Sequence, residues 1–119
     1  MPRTDAGNEA EDSALAYLKK FGLKLVARNY RCKAGELDLV MLDGRTLVLI
    51  EVRFRSSDHY GGAAASITAK KQRRIITAAR HLLATRADLR RYPARFDVIA
   101  MSSLGHENVQ WIKGAFMAS

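Results

Sequence analysis

Apolar residues recur along this chain at two spacings, and the wider spacing predicts two helices. In residues 8–21 one stripe is apolar, formed by Ala14, Leu15, Leu18 and Phe21. Gly22 follows this stripe and is expected to end the first helix. A second helical pattern starts after Thr68, a residue type that caps helices, and continues to about residue 87. Its core-facing positions are Ile75, Ile76, Ala79, Leu82 and Leu83.

Between the two helices the apolar residues are typical of strands. Residues 23–31 predict a first strand, and residues 37–42 and 46–54 predict a second and a third. The second and third strands are expected to form a hairpin whose turn is centred on Asp43-Gly44, a dipeptide suited to tight turns.

Two further strands are predicted after the second helix, over residues 96–101 and, more briefly, residues 109–112. Asp97 in the first of these is expected to pair with an arginine and to have no catalytic role, and Trp111 in the second is assigned to the core. A strand–helix–strand connection should cross over right-handed and place the later strand parallel to the earlier one. The order αβββαβ therefore predicts an α/β fold with a mixed β-sheet flanked by helices.

Size and composition are typical of a single globular domain that covers all 119 residues. Residues 1–7 are expected to be flexible, and the glycine- and alanine-rich residues 56–67 are expected to form a mobile loop. The only cysteine is Cys32, so no internal disulfide can form, which fits a reducing compartment. No secretory signal and no membrane-spanning apolar stretch is seen, so we expect a cytoplasmic protein without a membrane partner.

The charge balance favours a polyanionic partner. Lys and Arg number 20 against 12 Asp and Glu, which gives a formal charge of +8, and nucleic acid is the partner that we expect first. The candidate nucleic-acid-binding residues crowd the start of the second helix or follow the third strand: Lys70, Lys71, Arg73, Arg74 and Arg55. Lys71 precedes Ile75 by four positions, so it should flank the buried stripe and lean toward the acidic residues of the predicted hairpin. The alternative is a helix face that is simply solvated.

Acidic residues mark the predicted hairpin. A turn at Asp43-Gly44 pairs residues whose numbers sum to 87, which places Asp38 opposite Leu49 and Glu36 opposite Glu51. Asp38 and Glu51 would then share one face as diagonal neighbours, roughly 7 Å apart at Cβ. Their carboxylates are predicted to share one divalent cation.

Glu11 is expected to join these acids from the first helix, because it precedes Leu15 by four positions and Leu18 by seven. Buried acids repel each other unless a positive charge compensates them. Mg²⁺ or Mn²⁺, bound by oxygen ligands, would do so and could activate a water for attack on a phosphodiester. The competing interpretation is that Glu11 favours the helix dipole and that the strand acids are solvated or paired with arginine.

The order of the motifs resembles the YraN family of bacterial proteins. The resemblance covers almost the whole chain, and the segments that carry it are residues 11–18, NYR (29–31), GELDLV (35–40), LIEVRFR (49–55), KQRR (71–74) and RFDV (95–98). That family is similar to the PD-(D/E)xK nuclease superfamily, with Holliday-junction resolvases among its nearer relatives. The resemblance implies a restriction-endonuclease-like core in which Glu11, Asp38 and Glu51 bind the metal and Arg53 stands where the superfamily has a lysine.

Three functions follow as hypotheses. The first is a Mg²⁺- or Mn²⁺-dependent endonuclease acting on DNA, favoured over RNA and including branched DNA, with Asp38, Glu51 and Arg53 at the reacting phosphate. The second is a nucleic-acid-binding module without cleavage, which the Arg53 replacement favours because a guanidinium differs in size and geometry from an ammonium. The third is a basic adaptor for an acidic protein. A resolvase-like enzyme would need a two-fold dimer, but the sequence marks no interface.

Overall fold

The computed structural model describes residues 5–54, 67–102 and 109–118. It confirms the predicted order of elements, with slightly different boundaries. The helices are α1 (Asp5–Lys20) and α2 (Ala69–Thr85), followed by a short 3-10 turn at Ala87–Leu89. The strands are β1 (Lys24–Cys32), β2 (Gly35–Asp43), β3 (Thr46–Phe54), β4 (Ala94–Met101) and β5 (Val109–Phe116). Of the two segments predicted to be flexible, residues 1–4 and 56–66 lie outside the described residues.

All five strands form one mixed sheet in the order β1-β2-β3-β4-β5. Neighbouring strands are antiparallel except β3 and β4, which are parallel and are joined through α2, as predicted. A mixed sheet that carries a helix on each face has the architecture of a restriction-endonuclease-like core. None of the helices in the described residues is long and apolar enough to cross a membrane.

The core consists of two layers, one on each face of the central strands. Side chains beneath α1 include Ala14 and Leu18 from the helix, with Leu39, Met41, Val48 and Ile50 from the sheet. Those beneath α2 include Ile75 and Leu82 from the helix, with Val40, Leu47, Leu49 and Val98 from the sheet. Because both faces are covered, β2 and β3 read as nearly continuous apolar runs.

The β2–β3 register differs from the prediction. Leu39 pairs with Ile50 and Asp43 with Thr46, so paired residue numbers sum to 89 and not to 87. The turn therefore consists of Gly44 and Arg45. Gly44 has φ +61°, a conformation that glycine adopts readily, and this fixes the turn one residue later than expected. The shift leaves each side chain on its predicted face but moves Asp38 from the diagonal of Glu51 to the position across from it.

Two aromatic residues are less buried than expected. Phe21 was predicted to lie on the buried stripe of the first helix, but it lies beyond the end of α1 and is 58% exposed. Trp111, which the sequence pattern indicated as a core residue, is partly buried beside the α1 layer. Phe21 and Trp111 contact each other at 5.7 Å between ring centroids and form a surface cluster with Tyr17.

A fully buried carboxylate, that of Asp97, holds β4 and β5 together. It accepts hydrogen bonds from Arg95 Nε at 3.0 Å, Trp111 Nε1 at 2.9 Å and the Gly114 amide at 3.0 Å. These bonds coincide with an irregularity in the β4–β5 register between Phe96 and Val98. The predicted pairing of Asp97 with an arginine is confirmed, and the role of Asp97 is structural.

Candidate functional site

Asp38 and Glu51 lie together where β2 and β3 stop pairing. The regular ladder between these strands ends at Leu39–Ile50, whereas β3 continues beside β4 as far as Phe54. Asp38 is 8% exposed and Glu51 is 5% exposed. Asp38 Oδ2 accepts a hydrogen bond from the Val52 amide at 2.9 Å, so a side chain takes the place of a backbone partner at this position.

Burial raises the pKa of Asp38 from 3.8 to about 7, and the negative charge of Glu51 is the next largest cause. This rise includes smaller contributions from a hydrogen bond between the protonated carboxyl and Glu51 and from the charge of Glu36, and the Val52 amide opposes it. Two adjacent carboxyl groups that cannot easily both be ionised hold either a proton or a cation. The Asp38–Glu51 pair can therefore accept a proton or a cation.

Two basic side chains approach Glu51 from different elements. Lys71 Nζ of α2 lies 2.8 Å from Glu51 Oε2, and Arg53 Nη1 of β3 lies 3.9 Å from the same oxygen. The expectation that Lys71 leans toward the acids is confirmed. The predicted cap at Thr68 is confirmed as well, because its Oγ1 accepts from the Lys71 amide at 3.1 Å and so fixes the start of α2.

Glu11 is buried as its spacing predicts, but its described partner is a base. Its Oε1 lies 3.6 Å from Arg28 Nε of β1, and Arg28 Nη2 lies 2.5 Å from Asp12 Oδ1. In residues 5–54, 67–102 and 109–118, no three His, Cys, Asp or Glu side chains are grouped so that they could hold a metal ion. Three acids were predicted to converge, but only Asp38 and Glu51 lie together in the described residues. Glu11 is compensated by Arg28 instead.

Glu36 does not face Glu51. It pairs instead with Arg31 of the neighbouring strand β1, whose Nε lies 3.1 Å from Glu36 Oε2. The predicted pairing of Glu36 with Glu51 is wrong because a turn one residue later moves every partner of β2 by two positions along β3. Glu36 is half exposed and influences the site only through its charge.

Asn29 is a feature of the site that sequence reasoning did not single out. It has φ +55°, the only positive value for a non-glycine residue in the described part of the chain. The β1–β2 register brackets it between Arg28 and Tyr30, across from Asp38. Asparagine is poor in strands but tolerates this left-handed conformation. Its presence within an apolar strand pattern was the available signal for a local distortion beside the acids.

The predicted basic surface is present at the start of α2. Lys70 and Arg73 are exposed, and no acidic residue occupies the first turn of the helix. Arg74 is exposed too, but its Nε donates to the Ala34 carbonyl at 3.3 Å and so ties α2 to the β1–β2 turn. A Cβ at Gly35 would lie 2.7 Å from the Arg74 carbonyl oxygen, which explains the glycine at this close approach. The fifth candidate, Arg55, lies outside the described residues.

The basic connection after α2 has a different role. Arg90 donates to the carbonyls of Leu83 at 2.7 Å and Ala84 at 3.0 Å, and so satisfies acceptors in the last turn of the helix. Arg86 is paired with Asp88 at 2.9 Å. These arginines terminate the helix, and the candidate nucleic-acid surface is confined to its beginning.

The mixed sheet with a helix on each face defines a restriction-endonuclease-like fold, and the buried Asp38–Glu51 pair next to the basic start of α2 is its candidate functional site. The sequence model of the uncharacterised protein family UPF0102, which is the YraN family, matches residues 10–101. The chain belongs to this family.

Relatives match over nearly their full length. A UPF0102 protein of Cupriavidus taiwanensis is 55% identical over 118 residues, which cover 98% of this chain and 86% of the relative. One of Pseudomonas putida is 50% identical over 115 residues, with 95% and 93% covered. One of Nitrosomonas europaea is 48% identical over 110 residues, with 92% of each chain covered. These relatives support the same family assignment.

Proposed function

We propose that this protein is a divalent-metal-dependent, endonuclease-type enzyme that binds DNA and hydrolyses phosphodiester bonds at the Asp38–Glu51 pair. The observation that carries the proposal is that two buried carboxyl groups, those of Asp38 and Glu51, flank the end of the β2–β3 ladder beside the basic start of α2. Structural cores rarely place two acids together, because each raises the cost of ionising the other. Such pairs are typical of sites where a cation or a proton is handled.

The residues fit Mg²⁺ or Mn²⁺. Both ions prefer carboxylate oxygens and keep water molecules at their remaining positions, so two protein carboxylates suffice. Asp38 and Glu51 would hold the ion, and Glu11 would contribute through a water molecule, since Arg28 Nε already lies 3.6 Å from its Oε1. When bound, the ion would supply charge stabilisation at the phosphate and lower the pKa of a water.

The residues of the chain itself position the reaction. The Val52 amide fixes the Asp38 carboxylate, and the Thr68 cap fixes the start of α2 above Glu51. The exposed Lys70 and Arg73 provide positive charge along which a phosphate backbone can lie without being read for sequence. In hydrolysis a water oxygen bonds to phosphorus as the bond to the ester leaving oxygen breaks. DNA is the favoured substrate over RNA, with branched DNA included.

One observation favours a second function, that of a nucleic-acid-binding module without cleavage. Lys71 already neutralises Glu51 at 2.8 Å, so the site is electrostatically compensated by the chain itself. In this case the same basic surface binds DNA, and the carboxyl pair only positions Lys71.

Cleavage assays separate the two functions. The purified protein is incubated with linear, flapped and four-way DNA in Mg²⁺, in Mn²⁺ and in EDTA. We expect metal-dependent cleavage of at least one substrate, lost in Asp38→Ala and in Glu51→Ala while DNA binding is retained. Asp88→Ala, which removes an exposed acid paired with Arg86, is the matched control and should cut normally. DNA binding without cleavage of any substrate would support the binding module instead.

A further inference from the structure

We infer that Lys71, and not Arg53, is the basic residue that contacts the substrate phosphate at the Asp38–Glu51 pair. This inference rests on the proposed function. The sequence motif gives that place to Arg53, two residues after Glu51 on β3. The geometry points to a lysine of α2 that lies twenty positions after Glu51 in the chain.

Lys71 lies closer to Glu51 than Arg53 does. Lys71 Nζ lies within hydrogen-bonding distance of Glu51 Oε2, at 2.8 Å, whereas Arg53 Nη1 lies 3.9 Å from that oxygen. Arg53 Nε is buried and has no hydrogen-bond partner within the part of the chain that the structure describes. The guanidinium is thus held less firmly at the acids than the ammonium is.

Helix α2 fixes the backbone of Lys71 while the side chain stays accessible. The Lys71 amide donates to Thr68 Oγ1, and the Gln72 side chain donates to the Ile67 carbonyl at 3.1 Å. Ile67 and Ile75 are buried and anchor this turn from both sides. The Lys71 side chain is nevertheless 43% exposed, against 22% for Arg53. An incoming phosphate can therefore reach the ammonium.

The Lys71 ammonium can contact Glu51 and a phosphate at the same time. An ammonium is a compact charge with three donors, and the contact with Glu51 engages one of them. The remaining N–H groups can donate to a non-bridging phosphate oxygen while Glu51 keeps the side chain in place. The start of α2 adds the positive end of its dipole at the same position, with no acidic residue in its first turn to offset it. Lys71 consequently links the basic surface to the carboxyl pair.

The test compares Lys71→Met and Arg53→Met with Lys24→Met, which removes one exposed positive charge at the start of β1. Cleavage is measured under single-turnover conditions with saturating DNA and Mn²⁺. We expect Lys71→Met to lose on the order of 100-fold in rate, as for the removal of one charged donor at a reacting phosphate. Lys24→Met should remain within about 2-fold of the wild type, as expected for a distant, screened charge. Lys71→Arg should recover only part of the rate, because the planar guanidinium differs in shape.

A second readout does not depend on cleavage. Binding of Mn²⁺ alone is followed by calorimetry, and Lys71→Met should bind it roughly 10-fold more tightly because a competing cation has left Glu51. A purely structural lysine would instead lower thermal stability without tightening Mn²⁺ binding. If the wild type cleaves and Arg53→Met loses the rate while Lys71→Met does not, the inference is overturned and the proposed function stands. If neither the wild type nor any variant binds Mn²⁺ or cuts DNA, the proposed function fails and the inference fails with it.

Discussion

The Asp38–Glu51 pair should make the protein less stable as the pH rises through neutrality, and Asp38→Asn should remove this loss. The pKa of Asp38 is raised from 3.8 to about 7 in the folded protein. Between these values the folded state holds a proton that the unfolded chain has released. The stabilisation from this group is therefore fully present below pH 3.8, declines as the pH rises, and is lost above pH 7.

The magnitude follows from the pKa difference of about 3 units, each worth 1.36 kcal/mol, so the free energy of unfolding should fall by up to about 4 kcal/mol across this range. Asparagine retains an oxygen that can accept from the Val52 amide and an N–H that can donate to Glu51. Relative to the wild type, Asp38→Asn should gain roughly 2–4 kcal/mol at pH 8 and little at pH 4.

Urea denaturation at pH 4, 5, 6, 7 and 8, followed by far-ultraviolet circular dichroism, measures this difference directly. Subtracting the variant from the wild type at each pH removes contributions shared by both proteins, including those of the histidines. Asp88→Asn is the control. Hydrogen bonds to Arg86 lower the pKa of Asp88, so any stability that Asp88 contributes is retained as the pH rises through neutrality. A wild type that is as stable as Asp38→Asn at pH 8, or more stable, would refute the reasoning.

Three further perturbations test other parts of the structure. Thr68→Ala removes the cap of α2 and should lower the free energy of unfolding by about 1 kcal/mol, as measured by urea denaturation. Asp97→Ala removes the acceptor shared by Arg95, Trp111 and the Gly114 amide, while Arg95 keeps its ion pair with Asp43, so a loss of about 1–3 kcal/mol is expected, and an unchanged free energy of unfolding would contradict the structural role of Asp97. Replacing Lys70 and Arg73 together by alanine should reduce the slope of log affinity for DNA against log salt by roughly 1.8, and an unchanged slope would exclude this surface from DNA binding.

Much of the fold could be predicted because its causes are local. The start of α2 depends on a threonine side chain that accepts a hydrogen bond from an amide three residues later. The face on which each side chain of β2 and β3 lies follows because successive side chains in a strand point to opposite faces. Lys71 was expected to lean toward the acids because four residues separate it from buried Ile75. Each of these features is determined by neighbours within about four positions.

The remaining features depend on contacts between distant segments or on a single backbone angle. The hairpin register was predicted wrongly because either Asp43-Gly44 or Gly44-Arg45 could form the two-residue turn. The positive φ of Gly44 selects the second of these. The partner of Glu11 was missed because Arg28 lies 17 positions away on another element, and no spacing relates the two. The relative closeness of Lys71 and Arg53 to Glu51 likewise depends on how α2 docks on the sheet.

The central claim, that Asp38 and Glu51 together hold a divalent cation, is tested most directly by crystals soaked in Mn²⁺ and measured at the manganese absorption edge. We predict one anomalous peak within about 2.0–2.4 Å of a carboxylate oxygen from each residue. A peak elsewhere, or an Asp38–Glu51 hydrogen bond that persists unchanged in saturating Mn²⁺, would contradict the account.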